Sequence, residues 1–172
     1  VLLPAEQLGL RGDESPATLE ANVALKHQLE AIRLEAGQRM QLGDVTAHTV
    51  PKLTIVSAAT AGGTINTRTF IPHRVHEAIG VLGSVSVATA CVLQHTVASR
   101  YINTPFSDGT LTVAVEHPTG EFKVEMEVAG CSDFSHFTVL RSALLRTARL
   151  LMQGQAYADL PQGLRNSANQ GT

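Results

Sequence analysis

Apolar residues recur three or four positions apart from Leu19 to Ala36, with charged residues between them. This spacing predicts an amphipathic helix. Ser15 and Pro16 predict its start, because a Ser side chain accepts a backbone N–H and Pro lacks one. Gly37 is predicted to end it. The predicted apolar side consists of Leu19, Val23, Leu25, Leu29, Ile32 and Ala36, and the predicted solvent side of Glu20, Lys26, Glu30 and Arg33.

Strand-like patterns follow this helix. Residues 51–58 and 64–71 are rich in β-branched and alternating apolar residues and predict two strands, joined by a turn at 61–63 that contains two glycines. Residues 110–116 and 121–128 predict a hairpin, because the intervening His-Pro-Thr-Gly places Pro and Gly where a four-residue turn uses them.

The last patterned segment, residues 137–152, fits three alternatives. Arg141, Leu145, Arg149 and Met152 lie at roughly helical spacing, but a strand, or a strand followed by a short helix, fits as well.

A second helix is predicted from His76 to Leu93. Its residues are apolar on every side, and a helix without a polar face must be surrounded by protein. Several strands and one wholly apolar helix indicate an α+β fold, in which a curled sheet surrounds a central buried helix.

Composition limits the function classes. The 172 residues are enough for one domain with a core, and 44% of them are hydrophobic. A net charge of −2 and the lack of Trp argue against a nucleic-acid partner. The longest uncharged stretch, 78–99, holds too many polar residues for a membrane span. Cys91 and Cys131 fit reduced thiols in a cytoplasmic protein, and a single disulfide is the alternative.

The best candidate for chemistry is the start of the second helix. A strand carrying Arg68 leads to His73, Arg74 and His76, and the N-terminus of a helix has unpaired N–H groups and a positive dipole end. Cationic groups at such a point favour a carboxylate. The alternative is that the two histidines only cap the helix or pair with Glu77. Their spacing also occurs in zinc sites, but no third ligand lies nearby, so no metal is predicted.

A series of motifs along the chain resembles the methylaconitate isomerase (PrpF) family over about residues 1–158. They are residues 39–45, 50–52, 62–64, 70–76, 79–81, 85–90, 116–121 and 145–149. The resemblance implies a diaminopimelate-epimerase-like domain, with a mostly antiparallel, barrel-like sheet around the buried helix. Residues 1–158 would be the C-terminal domain of a two-domain isomerase, and 159–172 a frayed tail. The chain opens at Val1 without an initiator Met, which a tag or natural processing would explain, and so would a fragment of a longer protein.

The resemblance also implies a chemistry. Family members are cofactor-independent isomerases that move a proton within unsaturated polycarboxylic acids. Residues 63–91 look closest to members that tautomerise 4-oxalomesaconate, a tricarboxylic acid; the alternatives are 2-methylaconitate cis–trans isomerisation and a non-catalytic carboxylate-binding domain. The expected substrate-binding residues are Arg68, His73, His76, Ile79 and Gly80.

The implied partners follow from the same resemblance. The proton-transferring Lys and Cys are expected in an N-terminal half that this sequence lacks, so that half is an expected partner beside the polycarboxylate substrate. A homodimer is a further option, and no cofactor or membrane partner is expected.

Overall fold

The computed structural model describes residues 1–103, 105–131, 135–145 and 148–155. The strands in this part of the chain are β1 (Leu2–Pro4), β2 (Leu53–Ser57), β3 (Ile65–Ile71), β4 (Arg74–Val75), β5 (Gly109–His117), β6 (Gly120–Ala129) and β7 (Thr138–Leu144). The α-helices are α1 (Pro16–Ala21), α2 (Val23–Arg39) and α3 (Val81–Val92), and 3-10 helices cover Ala5–Leu8 and Ala98–Tyr101. The predicted tail, 159–172, lies outside the described residues.

The strands form one sheet in the order β1-β2-β3-β5-β6-β7, and β4 pairs with part of β3. The β1–β2 and β3–β5 pairs are parallel, and the four other pairs are antiparallel. The predicted mixed α+β class and mostly antiparallel sheet are therefore confirmed. Among the described residues the sheet is not closed, because β1 and β7 each lack a second neighbour.

Apolar clusters cover both faces of the sheet. On one face α3 packs on residues of β5 and β6, such as Val113 and Val124, and on Ile65 of β3. On the other face α1 and α2 pack on β2 and β3 through residues such as Leu29 and Phe70. Strands β2 and β3 are covered on both sides, so nearly all their residues are buried. This explains why both strands read as apolar or β-branched runs.

The strand predictions were largely correct. The runs 51–58 and 64–71 contain β2 and β3, and the predicted hairpin is β5–β6. The ambiguous segment 137–152 contains the strand β7, and residues 148–155 form neither helix nor strand.

The first helix is interrupted, which the sequence pattern did not predict. Ser15 caps α1 as expected, and its hydroxyl accepts the Thr18 N–H at 3.1 Å. Asn22 then leaves the helical conformation, and its side-chain oxygen accepts the Leu25 N–H at 3.0 Å. Because an Asn side chain is a good acceptor for the free N–H groups at a helix start, this residue ends α1 and begins α2.

At three residues of α2 the structure differs from the prediction, either in the exposure of the side chain or in the position of the helix end. Val23 is 60% exposed, although it was expected on the apolar side. Arg33 is 1% exposed, although it was expected in solvent. Its guanidinium donates to the carbonyl oxygens of Val45, His48 and Val50 and pairs with Glu30, so its burial is matched by hydrogen bonds. Gly37 does not end the helix, which continues to Arg39. The Val45 side chain lies 2.6 Å from where a Cβ on Gly37 would be.

Helix α3 is shorter than predicted and is not buried on all sides. Residues 76–80 are not helical, because the His76 N–H is bonded to the Thr69 oxygen at 2.8 Å and this holds the segment beside β3. Within the helix five residues are buried, but Val81 is 51% and Leu82 is 81% exposed. The prediction that this helix has no solvent-exposed side is therefore wrong for this chain.

The two cysteines, Cys91 and Cys131, are free thiols and are buried, so the disulfide alternative is wrong. None of the described helices combines the length and the hydropathy that a membrane span requires.

Candidate active site at the start of helix α3

The first turn of α3 presents backbone N–H groups to the surface. Gly80 is its N-cap, has no side chain to accept these hydrogen bonds, and is itself exposed. The first N–H with a helical partner is that of Ser84, which donates to the Gly80 oxygen at 2.8 Å. The N–H groups of residues 81–83 therefore have no acceptor within the helix. Such a helix terminus can bind an anionic group of a ligand, because its N–H groups donate hydrogen bonds to the anion.

His76 lies just before this turn and is half-buried. Its Nδ1 accepts the N–H of Ala78 at 3.1 Å. A neutral His ring with Nδ1 as acceptor carries its proton on Nε2, so Nε2 is a hydrogen-bond donor. Ile79, the next predicted site residue, is 2% exposed and packs in the apolar cluster below α3. It can therefore contribute only its backbone.

The hairpin turn between β5 and β6 holds this segment in place. The Thr119 hydroxyl donates to the Glu77 carbonyl oxygen at 2.8 Å. The His117 ring packs on Phe122, with the ring centroids 5.0 Å apart. Burial lowers the pKa of His117, and a hydrogen bond with the Glu77 backbone opposes this. Electrostatic interactions with His76 and Arg68 lower the pKa further. At neutral pH His117 is therefore uncharged.

The sequence pattern around His117 and Thr119 predicts only a turn, so it does not identify either residue as part of the site. The sequence gives one indication of their importance: the turn lies in residues 116–121, one of the motifs that resemble the PrpF family.

Arg68 does not point to the start of α3. Side chains alternate along β3, and the even-numbered Phe70 packs on the α1–α2 side while Ile65 packs on the α3 side. Arg68 is on the Phe70 side and 7% exposed. Its guanidinium donates to the Glu14 oxygen, the Asn66 side-chain oxygen and the Thr67 oxygen, each at 2.8 Å. Burial lowers the pKa of Arg68, which nearby acidic groups such as Asp13 oppose.

His73 also lies apart from the helix start. It lines a cavity of about 420 Å³ on the α2 side, together with Lys26, His27 and Glu30. The structure thus brings together only His76, Ile79 and Gly80 of the five predicted residues. Binding of a substrate by Arg68 or His73 stays a prediction.

Glu116 fixes the glycine-containing loop between β2 and β3. Its carboxylate accepts the N–H groups of Thr60, Ala61 and Gly63 at 2.7–2.8 Å. Burial by itself would raise the pKa of Glu116, but these donors outweigh it and hold the pKa below its usual value. The carboxylate is therefore ionised at neutral pH and anchors the loop to the end of β5.

Neither thiol has the character of a proton-transfer group. Burial raises the pKa of Cys91 to about 12. Burial also raises the pKa of Cys131, helped by the neighbouring Asp108 carboxylate. Both thiols are therefore protonated at neutral pH. Across the residues that the structure describes, no three His, Cys, Asp or Glu side chains lie together as metal ligands.

Comparison with known proteins shows which family the chain belongs to. The family profile described as "PrpF protein" matches residues 1–159. A 4-oxalomesaconate tautomerase of Pseudomonas putida (strain KT2440) is 52% identical over 154 residues, which are 90% of this chain and 41% of that protein. A (4E)-oxalomesaconate Delta-isomerase of Novosphingobium sp. (strain KA1) is 44% identical over 157 residues, which are 91% of this chain and 42% of that protein.

The chain thus spans about two fifths of the length of these relatives. Among solved structures, a methylitaconate-delta-isomerase superposes with a TM-score of 0.61 at 13% identity, covering 84% of this chain and 43% of that one. At this identity the likeness shows a shared fold alone. The family match spans all the described residues, including the α3 start and the turn that holds it, and the chain belongs to the PrpF family.

Proposed function

We propose that this chain is the C-terminal domain, residues 1–158, of a cofactor-independent isomerase that tautomerises an unsaturated tricarboxylic acid. The observation that carries this proposal is the uncapped start of α3, beside His76, in a chain whose relatives are named as isomerases of oxalomesaconate. The proposed domain fold is diaminopimelate-epimerase-like, with the open sheet as part of a barrel-like layer around α3. The named relatives favour 4-oxalomesaconate as the substrate.

The proposed role of the α3 start is to bind a substrate carboxylate. The N–H groups of residues 81–83 and the Nε2–H of His76 would donate to it. Removing a proton next to a keto or carboxylate group creates a dienolate, and fixed donors stabilise the charge that develops there. The same proton, returned to a different atom of the conjugated system, completes the tautomerisation. No net oxidation takes place.

The proton-transferring base is proposed to belong to the part of the enzyme outside this sequence. Both cysteines of the described chain are buried and protonated, as given above. A Lys and a Cys from an N-terminal half, closing over the α3 start, would complete the site. This chain would then supply half of the active site and depend on that half as its partner.

Substitution of Gly80 tests the carboxylate-binding role. Gly80 has φ of −70°, and no atom lies within 4 Å of where its Cβ would be, so other residues fit there. In the full-length enzyme, Gly80→Asp places a carboxylate at the N-cap, where it accepts the same N–H groups and repels the substrate. We expect kcat/KM for 4-oxalomesaconate to fall about 100-fold, the scale of losing one such donor. Thermal stability should stay equal or rise slightly.

Gly80→Ala is the matched control, because its methyl group fills space without competing for the N–H groups. We expect it to keep kcat/KM within about threefold of wild type, a change of less than about 0.7 kcal/mol. An Asp variant with wild-type kinetics would show that no carboxylate binds here. If kcat/KM fell as far in the Ala variant as in the Asp variant, the cause would be the added size of the side chain at position 80 and not its charge. Carboxylate binding without any turnover by the wild-type enzyme would instead identify a non-catalytic binding domain.

A further inference from the structure

The cavity that His73 lines, of about 420 Å³, lies between α2 and the turn that joins β3 to β4. Its described lining is mostly basic, with Lys26 and His27 from α2 and His73 from the turn. Glu30 is the acidic residue of this lining. A concave space of this size is typical of small-ligand sites, so the charge of its lining decides which ligands fit.

The charge of Glu30 is balanced by Arg33. The Arg33 guanidinium donates to both oxygens of the Glu30 carboxylate at 2.8 Å. These hydrogen bonds lower the pKa of Glu30, burial opposes them, and electrostatic interactions with Arg33 and His73 lower the pKa further. Glu30 is therefore ionised at neutral pH, and its negative charge is neutralised by a cation that lies outside the cavity lining.

Lys26 has no such partner. It lies four positions before Glu30 on α2, a spacing at which the two side chains could pair. Because Glu30 pairs with Arg33 instead, the ammonium of Lys26 forms no ion pair within the described residues. Lys26 is also half-buried. An unpaired, half-buried cation beside two histidines makes the cavity favourable for an anion.

Both walls of the cavity are held by hydrogen bonds of their own. On one side the Asn22 side chain accepts the Leu25 N–H at 3.0 Å and holds the first turn of α2. On the other side the Glu20 carboxylate accepts the Val75 N–H at 2.8 Å and lies 3.8 Å from the Arg74 Nε, which ties β4 to α1. Because neither wall has to be ordered first, a ligand binds without that entropic cost.

We propose that this cavity binds a small oxyanion with two negative charges, held by the Lys26 ammonium and the imidazole rings of His27 and His73. The oxygens of such an anion accept hydrogen bonds from an ammonium and from ring N–H groups. Phosphate and dicarboxylates share this chemistry, and inorganic phosphate and succinate represent the two sources.

This site is separate from the start of α3. The helix α2 packs on the sheet face that carries Leu29 and Phe70, whereas α3 packs on the face that carries Ile65. The proposal therefore does not depend on the proposed function. It assigns His73 to a ligand other than the substrate bound at α3.

Histidine NMR tests the site without relying on activity. Inorganic phosphate and succinate are each titrated at neutral pH and constant ionic strength into the full-length protein as its gene encodes it, and the Cε1–Hε1 signals of the histidines are followed. The Gly80→Asp variant serves as the background, so that an anion bound at the α3 start does not contribute. We expect the signals of His27 and His73 to shift together along one saturable curve with at least one probe, while the signal of the exposed His95 does not follow that curve.

Lys26→Gln locates the binding, and Lys123→Gln on β6 is the matched control because it removes the same charge elsewhere. We expect the Kd to rise at least about tenfold in Lys26→Gln, the scale of one charge-assisted hydrogen bond. In Lys123→Gln it should stay within about twofold of the background, because distant surface charges are screened. His73→Gln, at an exposed residue, should weaken binding as Lys26→Gln does.

Binding of phosphate alone would support the proposal and identify a phosphate site, and binding of succinate alone would identify a carboxylate site. The absence of a saturable shift with both probes would overturn the proposal. An unchanged Kd in Lys26→Gln would also overturn it, and so would an equal loss in the two lysine variants, since the net charge of the protein would then be the cause.

Discussion

Arg68 is a buried cation whose hydrogen bonds all remain within the chain. Its three acceptors are the Glu14 and Thr67 carbonyl oxygens and the Asn66 side chain, and the Asn66 amide in turn donates to the Gly12 oxygen at 3.0 Å. Arg68 therefore ties the loop before α1 to the middle of β3. The geometry supports a structural contribution from this residue, in addition to any electrostatic effect on His117.

Replacement of Arg68 should destabilise the fold. In Arg68→Ala, two buried acceptors and one partly buried acceptor lose their donor, and we expect the free energy of unfolding to fall by about 3 kcal/mol. The matched control is Arg74→Ala, since the Arg74 side chain is 87% exposed and its Nε lies 3.8 Å from the Glu20 carboxylate; its cost should be under about 0.5 kcal/mol. Urea unfolding measures both. A stable Arg68→Ala enzyme with reduced kcat/KM would instead show that Arg68 binds the substrate.

At the scale of elements, Glu116 joins the β2–β3 loop to β5. The loop has two glycines in succession, and one carboxylate accepts three of its backbone N–H groups. A Cβ added to Gly63 would lie 2.7 Å from the Glu116 side chain, so a glycine is required for this close approach. The loop conformation thus depends on a residue more than fifty positions away.

Glu116→Gln should loosen this connection. The amide keeps one acceptor oxygen but points its NH₂ group at backbone donors, so we expect a loss of about 2 kcal/mol in unfolding free energy. The pKa of Glu116 is lowered in the folded state, so its contribution to stability is present above its usual pKa of 4.5 and is lost as pH falls through the folded value. Urea titrations at about pH 7 and at lower pH measure this.

The wild-type and Glu116→Gln proteins should therefore converge in stability as the pH falls through the lowered pKa of Glu116. Glu121→Gln is the control, since Glu121 is exposed and lies on the same hairpin. A constant difference between wild type and Glu116→Gln at all pH values would show that the carboxylate charge does not hold the loop.

At the scale of the whole molecule, the chain holds a candidate carboxylate site, and the proposed function assigns the base to an N-terminal half. Among the described residues both cysteines are buried, and Lys52 is a lysine that lines a groove with Leu82 and Gly83 of the first turn of α3. We expect the purified 172-residue chain to show no tautomerase activity. On the proposed function, a longer protein that includes the N-terminal half should convert 4-oxalomesaconate. The ultraviolet absorbance change of keto–enol conversion follows the reaction, and circular dichroism verifies that the chain is folded. Rapid turnover by the chain alone would show that the base lies within the chain, with His76 and Lys52 as the candidates.

Sequence patterns alone determined the elements whose causes are local. The Ser15 cap, the β-branched runs of β2 and β3 and the Pro-Gly hairpin each depend on a few neighbouring residues, so they could be predicted. The interruption at Asn22 was also a local signal, but the regular apolar spacing on both sides concealed it.

Only the tertiary structure decided which side chains meet. Arg33 was read as exposed, yet three carbonyl oxygens of a later loop satisfy its burial. The sequence pattern groups Arg68 with His76, yet the alternation of β3 turns it to the opposite face, where the carbonyl oxygen of Glu14, 54 positions away, accepts one of its hydrogen bonds. The sequence of α3 determined that this helix packs in an apolar core, because hydrophobicity is a property of each residue. Which surfaces form that core depends on packing between segments far apart in the chain, and no local pattern encodes that.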